Sequence, residues 1–395
     1  MKVKSIAAAF FALILGLGWS LAWADDDDQF PEGVSFKTLI KTLLAIEGLT
    51  GDSKGNLYTT GRGGSPSCPV WRVNLSKPSL VVVGNINVAG CSPSGIAFNK
   101  AGKLFVADGD KVYTFAPNSG KPPNADVYAT GVPNTNGLAF DKDGNLWTGD
   151  GTTGVGRVWR IGPKGGDCTP ATLSNCVEAF RVQPLLNGAN FGGDLTGDGV
   201  GRRALTIPAG TAQPLVANGV AFDQEGNLFV ADTARGAIWK VKFDSNGNLT
   251  SETGCDSTFT ANTLCLNNIL VTHPLLEGTD GIALDNEGNI WNSANERNAI
   301  VVVSDGRVKE IFRNSPDGIT LLRNTGPLET PTSPFLLGKF FCTANSDGNR
   351  RDNSPNTAGE IKPAGPDIGK ISCMADPVTG ELIELNIPGL PLPVD

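Results

Sequence analysis

The chain has 395 residues, 50 of them Gly and 26 Pro, with hydrophobic content at 40%. Gly is nearly twice its usual share of ~7%, so this is a folded, turn-rich chain and not a disordered one. Forty acidic residues against 32 basic ones give a net charge of −8, which disfavours a nucleic-acid partner. A single histidine excludes imidazole dyads and multi-histidine zinc sites, so any metal must be held mainly by oxygen.

Residues 1–24 have the pattern of a secretory signal: Lys2 and Lys4, an apolar run from Ile6 to Leu17, then Ala22-Trp23-Ala24. Cleavage after Ala24 would expose Asp25 to Asp28, and losing the two lysines takes the charge to about −10. Neither a twin arginine nor a cysteine at the cleavage point is present, so the expected destination is the periplasm or the medium, with no membrane attachment after cleavage. Residues 25–39 then form an N-terminal extension. The even count of eight cysteines suits an oxidising compartment, and their order suggests neighbour pairing: Cys68 with Cys91, Cys168 with Cys176, Cys255 with Cys265, and Cys342 with Cys373. No Cys-x-x-Cys pair offers a thiolate metal site.

From residue 48 a repeat governs the chain. Gly48-LTGDSKGNLYTTG, Gly95-IAFNKAGKLFVAD, Gly137-LAFDKDGNLWTGD, Gly219-VAFDQEGNLFVAD and Gly281-IALDNEGNIWNSA share one frame, with a degraded sixth copy, SPFLLGKFFCTA, from Ser333. In each, a short apolar run such as Leu138-Ala139-Phe140 meets a polar turn and then Leu146-Trp147, which is the pattern of a β-hairpin. A third β-branched and aromatic strand follows, as in Arg157-Val158-Trp159-Arg160-Ile161. Starts at 48, 95, 137, 219, 281 and about 334 suit propeller blades of roughly 40 to 50 residues. The expectation is an all-β, six-bladed β-propeller over 40–395 with four-stranded blades. Residues 163–217, which lack the hairpin frame, are read as an insertion and not as a seventh blade.

The innermost strand of a propeller blade starts beside the central channel, so the residues just before the repeat Gly should form a ring. They are Glu47, Ser94, Asn136, Asn218, Asp280 and Ser333. Asn-Gly and Asp-Gly are also common turn dipeptides, but Glu47-Gly48 and Ser94-Gly95 hold the same frame without turn-type residues. Two carboxylates and two carboxamides converging on one axis suit a hard cation such as calcium, magnesium or manganese.

These segments resemble the regucalcin and gluconolactonase group of six-bladed propellers, also called the senescence marker protein family. The resemblance rests on Glu47-Gly48-Leu49, on Asn218-Gly219-Val220-Ala221-Phe222 with Val230-Ala231-Asp232-Thr233, and on Asp280-Gly281-Ile282-Ala283-Leu284-Asp285 with Glu287-Gly288-Asn289-Ile290-Trp291. It implies one divalent cation, calcium first and magnesium, manganese or zinc as alternatives, held by Glu47, Asn218 and Asp280. Asn136 would orient the substrate, although the Arg and Asp that usually accompany it are absent from Val132-Pro133-Asn134-Thr135. The implied activity is hydrolysis of a small-molecule lactone or related ester, with Asp280 as base and the protein a monomer.

Two alternatives accompany that reading. One is a non-catalytic propeller that binds a ligand or a protein. The other is a lyase of the kind that opens cyclic depsipeptide antibiotics, which needs a histidine and so would use His273. Asp232, like Asp108 and Asp150, ends a second strand and is read as structural. Gly90-Cys91-Ser92-Pro93-Ser94 fails as a serine-hydrolase elbow at its last position. Asp194-Leu195-Thr196-Gly197-Asp198-Gly199 opens like a calcium loop but reaches Leu205 where an EF-hand needs Glu.

Overall fold

A computed structural model describes residues 29–151, 153–169, 175–184, 216–314, 326–346 and 368–392. The segment read as a signal and the Asp194 loop lie outside the described residues, and no described helix is long and apolar enough to cross a membrane. Six four-stranded antiparallel sheets form a propeller ring, as the repeat implied. The innermost strands are Thr50–Asp52, Pro93–Phe98, Leu138–Phe140, Ala217–Phe222, Thr279–Leu284 and Pro331–Leu337, in blades 1 to 6.

The last blade is closed by the first strand. Ser35–Lys41 pairs antiparallel with Lys370–Ala375, so part of the segment read as an N-terminal extension is the outer strand of blade 6. The stretch read as an insertion likewise contributes to the sheets: Cys176–Arg181 is the outer strand of blade 3, and Gly166–Asp167 adds a short parallel fifth strand to blade 2. Outer strands carry half-exposed faces and no shared turn frame, which is why the repeat did not mark them. Residues 185–215 of that stretch lie outside the described residues.

The hairpin frame has a hydrogen-bonding cause. In blade 3, Asp141 accepts from the backbone N–H of Asp143 and Asn145, from the Asn145 side chain, and from Trp147 Nε1 at 2.9 Å. Asp285 repeats the set in blade 5 with Glu287, Asn289 and Trp291. One carboxylate therefore closes the turn and fixes the aromatic ring that packs between blades.

The repeat Gly answers a different need. A Cβ on Gly48 would stand 2.3 Å from the Ser94 carbonyl oxygen, one on Gly95 2.2 Å from that of Asn136, one on Gly219 2.5 Å from that of Asp280, and one on Gly281 2.3 Å from that of Thr332. Each inner strand thus abuts the ring residue of the next blade with no room for a side chain. Gly281→Ala should cost about 1 to 3 kcal/mol, since backbone cannot yield as a flexible side chain does. Denaturant unfolding would check this, and a variant as stable as the parent would contradict the close packing.

All four neighbour disulfides form, and no described cysteine is free. Such a set matches an oxidising environment.

Candidate functional site

The strand registers define which residues face the axis. Ala217 pairs with Asp232 and Val220 with Val230, leaving Asn218 and Gly219 as the irregular step between them. The same step holds Ser94 and Gly95 in blade 2 and Asp280 and Gly281 in blade 5. In blade 6 Pro331 pairs with Asn345 and Pro334 with Thr343, so the ring position belongs to Thr332 and not to Ser333. The sequence frame missed this by one because Ser333 itself stands where the other copies have Gly. Thr332 Oγ1 donates to the Glu47 carbonyl at 2.7 Å, which closes the circle between blades 6 and 1.

Glu47, Asn218 and Asp280 come together. Asn218 and Asp280 are buried, and burial, followed by the nearby Glu47 carboxylate, raises the Asp280 pKa well above its ordinary value. Hydrogen bonds from Asn295 and Asn218 and the Arg62 charge act in the opposite sense. Asn136 is also buried on the ring, its backbone N–H donating to the Gly149 carbonyl at 3.0 Å. Ser94 Oγ is turned away to the Thr135 carbonyl at 2.7 Å.

A second layer was not foreseen. Fifteen residues after the ring position, just past the second strand, another side chain meets the ring residue of its own blade. Arg62 pairs with Glu47, Asn218 donates to Thr233 Oγ1 at 3.0 Å, and Asn295 Nδ2 donates to Asp280 Oδ2 at 2.8 Å. In blade 3 the equivalent is Gly151, where a Cβ would press on the Asn136 amide at 2.5 Å. The constant spacing was readable in the repeat, but the eye is drawn to repeated residue types and these four differ.

Glu47, Asp280, Asn218 and Asn295 present oxygen donors alone, and the Asn295 Oδ1 is buried with no hydrogen-bond partner among the described residues. Two like charges set against each other in a buried place, beside an unpaired carbonyl oxygen, fit a hard divalent cation. Arg62 partly fills that electrostatic demand, holding Glu47 with one arm and Ser92 Oγ with Nε and Nη2, the latter at 2.7 Å. The Cys68–Cys91 disulfide anchors the loop that carries Ser92.

Other candidates stand apart from this centre. His273 is exposed after the outer strand of blade 4, and its Nδ1 accepts from the Leu275 N–H at 3.1 Å, capping a short turn. The close Glu252, Cys255 and Cys265 group is not a thiolate site, because its cysteines form a disulfide. A cavity of about 780 Å³ lies at the turn ends of blades 1 and 6, lined by Lys54, Leu75, Leu337, Phe340 and Leu392, at the opposite end of the inner strands from Glu47.

Asp232 is fully buried, with Trp239 Nε1 at 3.1 Å and Arg235 at 3.4 Å. Burial outweighs these partners and lifts its pKa to about 6, while burial also lowers that of Arg235. A carboxyl whose folded pKa exceeds its unfolded value of 3.8 stabilises the fold when protonated, fully below about pH 3.8 and not at all above about pH 6. Across that window the wild type should therefore lose roughly 3 kcal/mol relative to Asp232→Asn. Unfolding curves at stepped pH would show this, and parallel profiles for the two proteins would refute it.

Residues 206–343 match the model of the family described as SMP-30/Gluconolactonase/LRE-like region. That stretch is SMP-30/gluconolactonase-like. It takes in Asn218, Asp280 and Asn295 but not Glu47. Among solved structures the chain is similar to luciferin-regenerating enzyme, with a TM-score of 0.55, 14% identity, and 92% of this chain and 99% of that one covered. It is also similar to regucalcin of Agrobacterium tumefaciens, a calcium-binding protein, with a TM-score of 0.52, 15% identity, and coverage of 91% and 97%. A putative gluconolactonase gives 0.50, 16%, and 94% and 98%. At these identities the likeness is one of fold. No curated protein sequence matches the chain.

Proposed function

We propose that the protein is an exported, divalent-metal-dependent hydrolase of a lactone or related ester, working at the mouth of the propeller channel. The observation that carries the reading is the buried Asp280 carboxylate set near the partly buried Glu47 carboxylate, beside Asn218 and the unpaired Asn295 oxygen. A binding module that used only its rim would have no need of that repulsion at its axis. The SMP-30/gluconolactonase-like stretch and the four disulfides support the activity class and the oxidising compartment respectively.

Glu47, Asn218 and Asp280 would hold the cation, with calcium the first choice for an all-oxygen set. Bound there, it would polarise the substrate carbonyl and make water more acidic. Asn136 positions the substrate through its amide, which packs against Gly151, where no side chain would fit. Asp280, its Oδ2 held by Asn295, takes the proton from the attacking water. The water oxygen bonds to the carbonyl carbon, the acyl C–O bond breaks, and the leaving alkoxide receives the proton back from Asp280, giving one hydroxy acid from a lactone, or an acid and an alcohol from an ester. The substrate is a small molecule and the protein acts as a monomer, without nucleic acid or membrane.

The test is a panel of aldono-lactones and aromatic esters assayed with calcium, magnesium or manganese and again after chelation. Hydrolysis lost on chelation and restored by metal is expected. His273→Ala should leave turnover in place, whereas a lyase dependent on that histidine would lose it. No turnover with any metal, from a protein that still binds one, would replace this reading with a non-catalytic binding propeller.

A further inference from the structure

The second layer around the channel is chemically lopsided. Blade 1 contributes Arg62, blades 2 and 3 contribute Gly109 and Gly151, blade 4 Thr233 and blade 5 Asn295. Among the described residues of this layer Arg62 is the one cation, at the blade 1 corner, and next to it is Gly109, where a Cβ would meet nothing within 4 Å. Ser92, which precedes the inner strand of blade 2, fixes Arg62 at that corner, and the Ser92 N–H is itself held by Asp108 at 2.8 Å.

Other buried acids that end or flank strands nearby have cations of their own: Asp150 has Arg157 at 2.9 Å, Asp232 has Arg235, and Glu329 has Lys370 at 2.8 Å. Among the described residues, Glu47 and Asp280 are two acids that share one cation, Arg62. On the reading of the preceding subsection, a divalent ion held by the two carboxylates would offset their charge. The guanidinium is then left as one uncompensated positive charge, with its side chain only 13% exposed. With Nε and one N–H of each Nη already given to Ser92 and Glu47, the second N–H of Nη1 and of Nη2 remain as donors suited to a carboxylate.

We propose that Arg62 recognises an acidic group of the substrate, so that the channel takes a lactone or ester bearing a carboxylate in preference to a neutral one. The acid would lie at the blade 1 corner, with the body of the molecule over the glycine-lined side of blades 2 and 3 and the reacting carbonyl towards Asn136 and Asp280. This rests on the hydrolase reading for the reaction, but the recognition of the anion stands or falls separately.

The experiment compares D-glucono-1,5-lactone, which is neutral, with D-glucaro-1,4-lactone, which carries a carboxylate, on the full-chain protein at saturating calcium. The wild type should favour the acidic lactone by about tenfold or more in kcat/KM, as expected for one charge-assisted contact. Arg62→Gln should lower that ratio about tenfold through KM, and Arg62→Lys should restore part of it. Calorimetric titration with glucarate supplies a readout that needs no turnover: binding should weaken in Arg62→Gln and recover in part in Arg62→Lys. Glucarate binding that depends on Arg62, without hydrolysis of either lactone, would sink the hydrolase reading and uphold the anion site. Hydrolysis of both lactones with a ratio unchanged in Arg62→Gln would overturn the anion site and leave the hydrolase reading intact.

Discussion

Asp280→Ala should lower kcat/KM for any lactone the protein hydrolyses by more than about a hundredfold, because it removes a cation ligand and the proton acceptor together. Loss of a general base alone is worth about that much, and the lost ligand comes on top of it. The variant should nonetheless fold well. In the metal-free protein Asp280 is a buried carboxyl set against Glu47, so taking it away removes a repulsion. A variant that unfolds would point to a structural duty for Asp280, and one that keeps a tenth of the activity would exclude it from the centre. Asn295→Ala offers a milder companion, since it leaves the carboxylate in place but frees its Oδ2.

A divalent cation should raise the melting temperature of the wild type and leave that of Asp280→Asn unmoved. Ligand binding to the native state alone adds about 2.7 kcal/mol at a hundredfold excess over Kd. For a chain of this length that is worth about 3 to 4 °C, given an unfolding entropy of ~2.1 cal/mol/K per residue. Without metal the order should reverse: Asp280→Asn keeps the shape but loses the charge that Glu47 opposes, so it should melt at or above the wild type. Equal shifts in both proteins would place any cation elsewhere on the surface.

The fold was legible because two of its constraints are written in fixed residue types. The turn Asp binds backbone N–H groups and an aromatic ring six residues later, and the repeat Gly exists because the next blade's carbonyl oxygen comes so near. Glu47, Asn136, Asn218 and Asp280 were legible as neighbours of that Gly. Arg62, Thr233 and Asn295 were not, because what unites them is a distance along the chain and not a chemistry. The slip at blade 6 has the same root: Ser333 occupies a Gly position, so the residue before it had no marker. Outer strands such as Cys176–Arg181 and Ser35–Lys41 were missed because their pairing is decided by what the ring leaves open.

The clasp between Ser35–Lys41 and Lys370–Ala375 also sets a clock. Some 330 residues separate the two partners, and at ribosomal rates of about 5 to 20 residues per second the first strand is made tens of seconds before the second. Until then the outer strand of blade 6 has no partner, and its unpaired backbone is open to any neighbour. An exported chain that crossed the membrane unfolded would avoid that interval, since both ends would already exist when folding began.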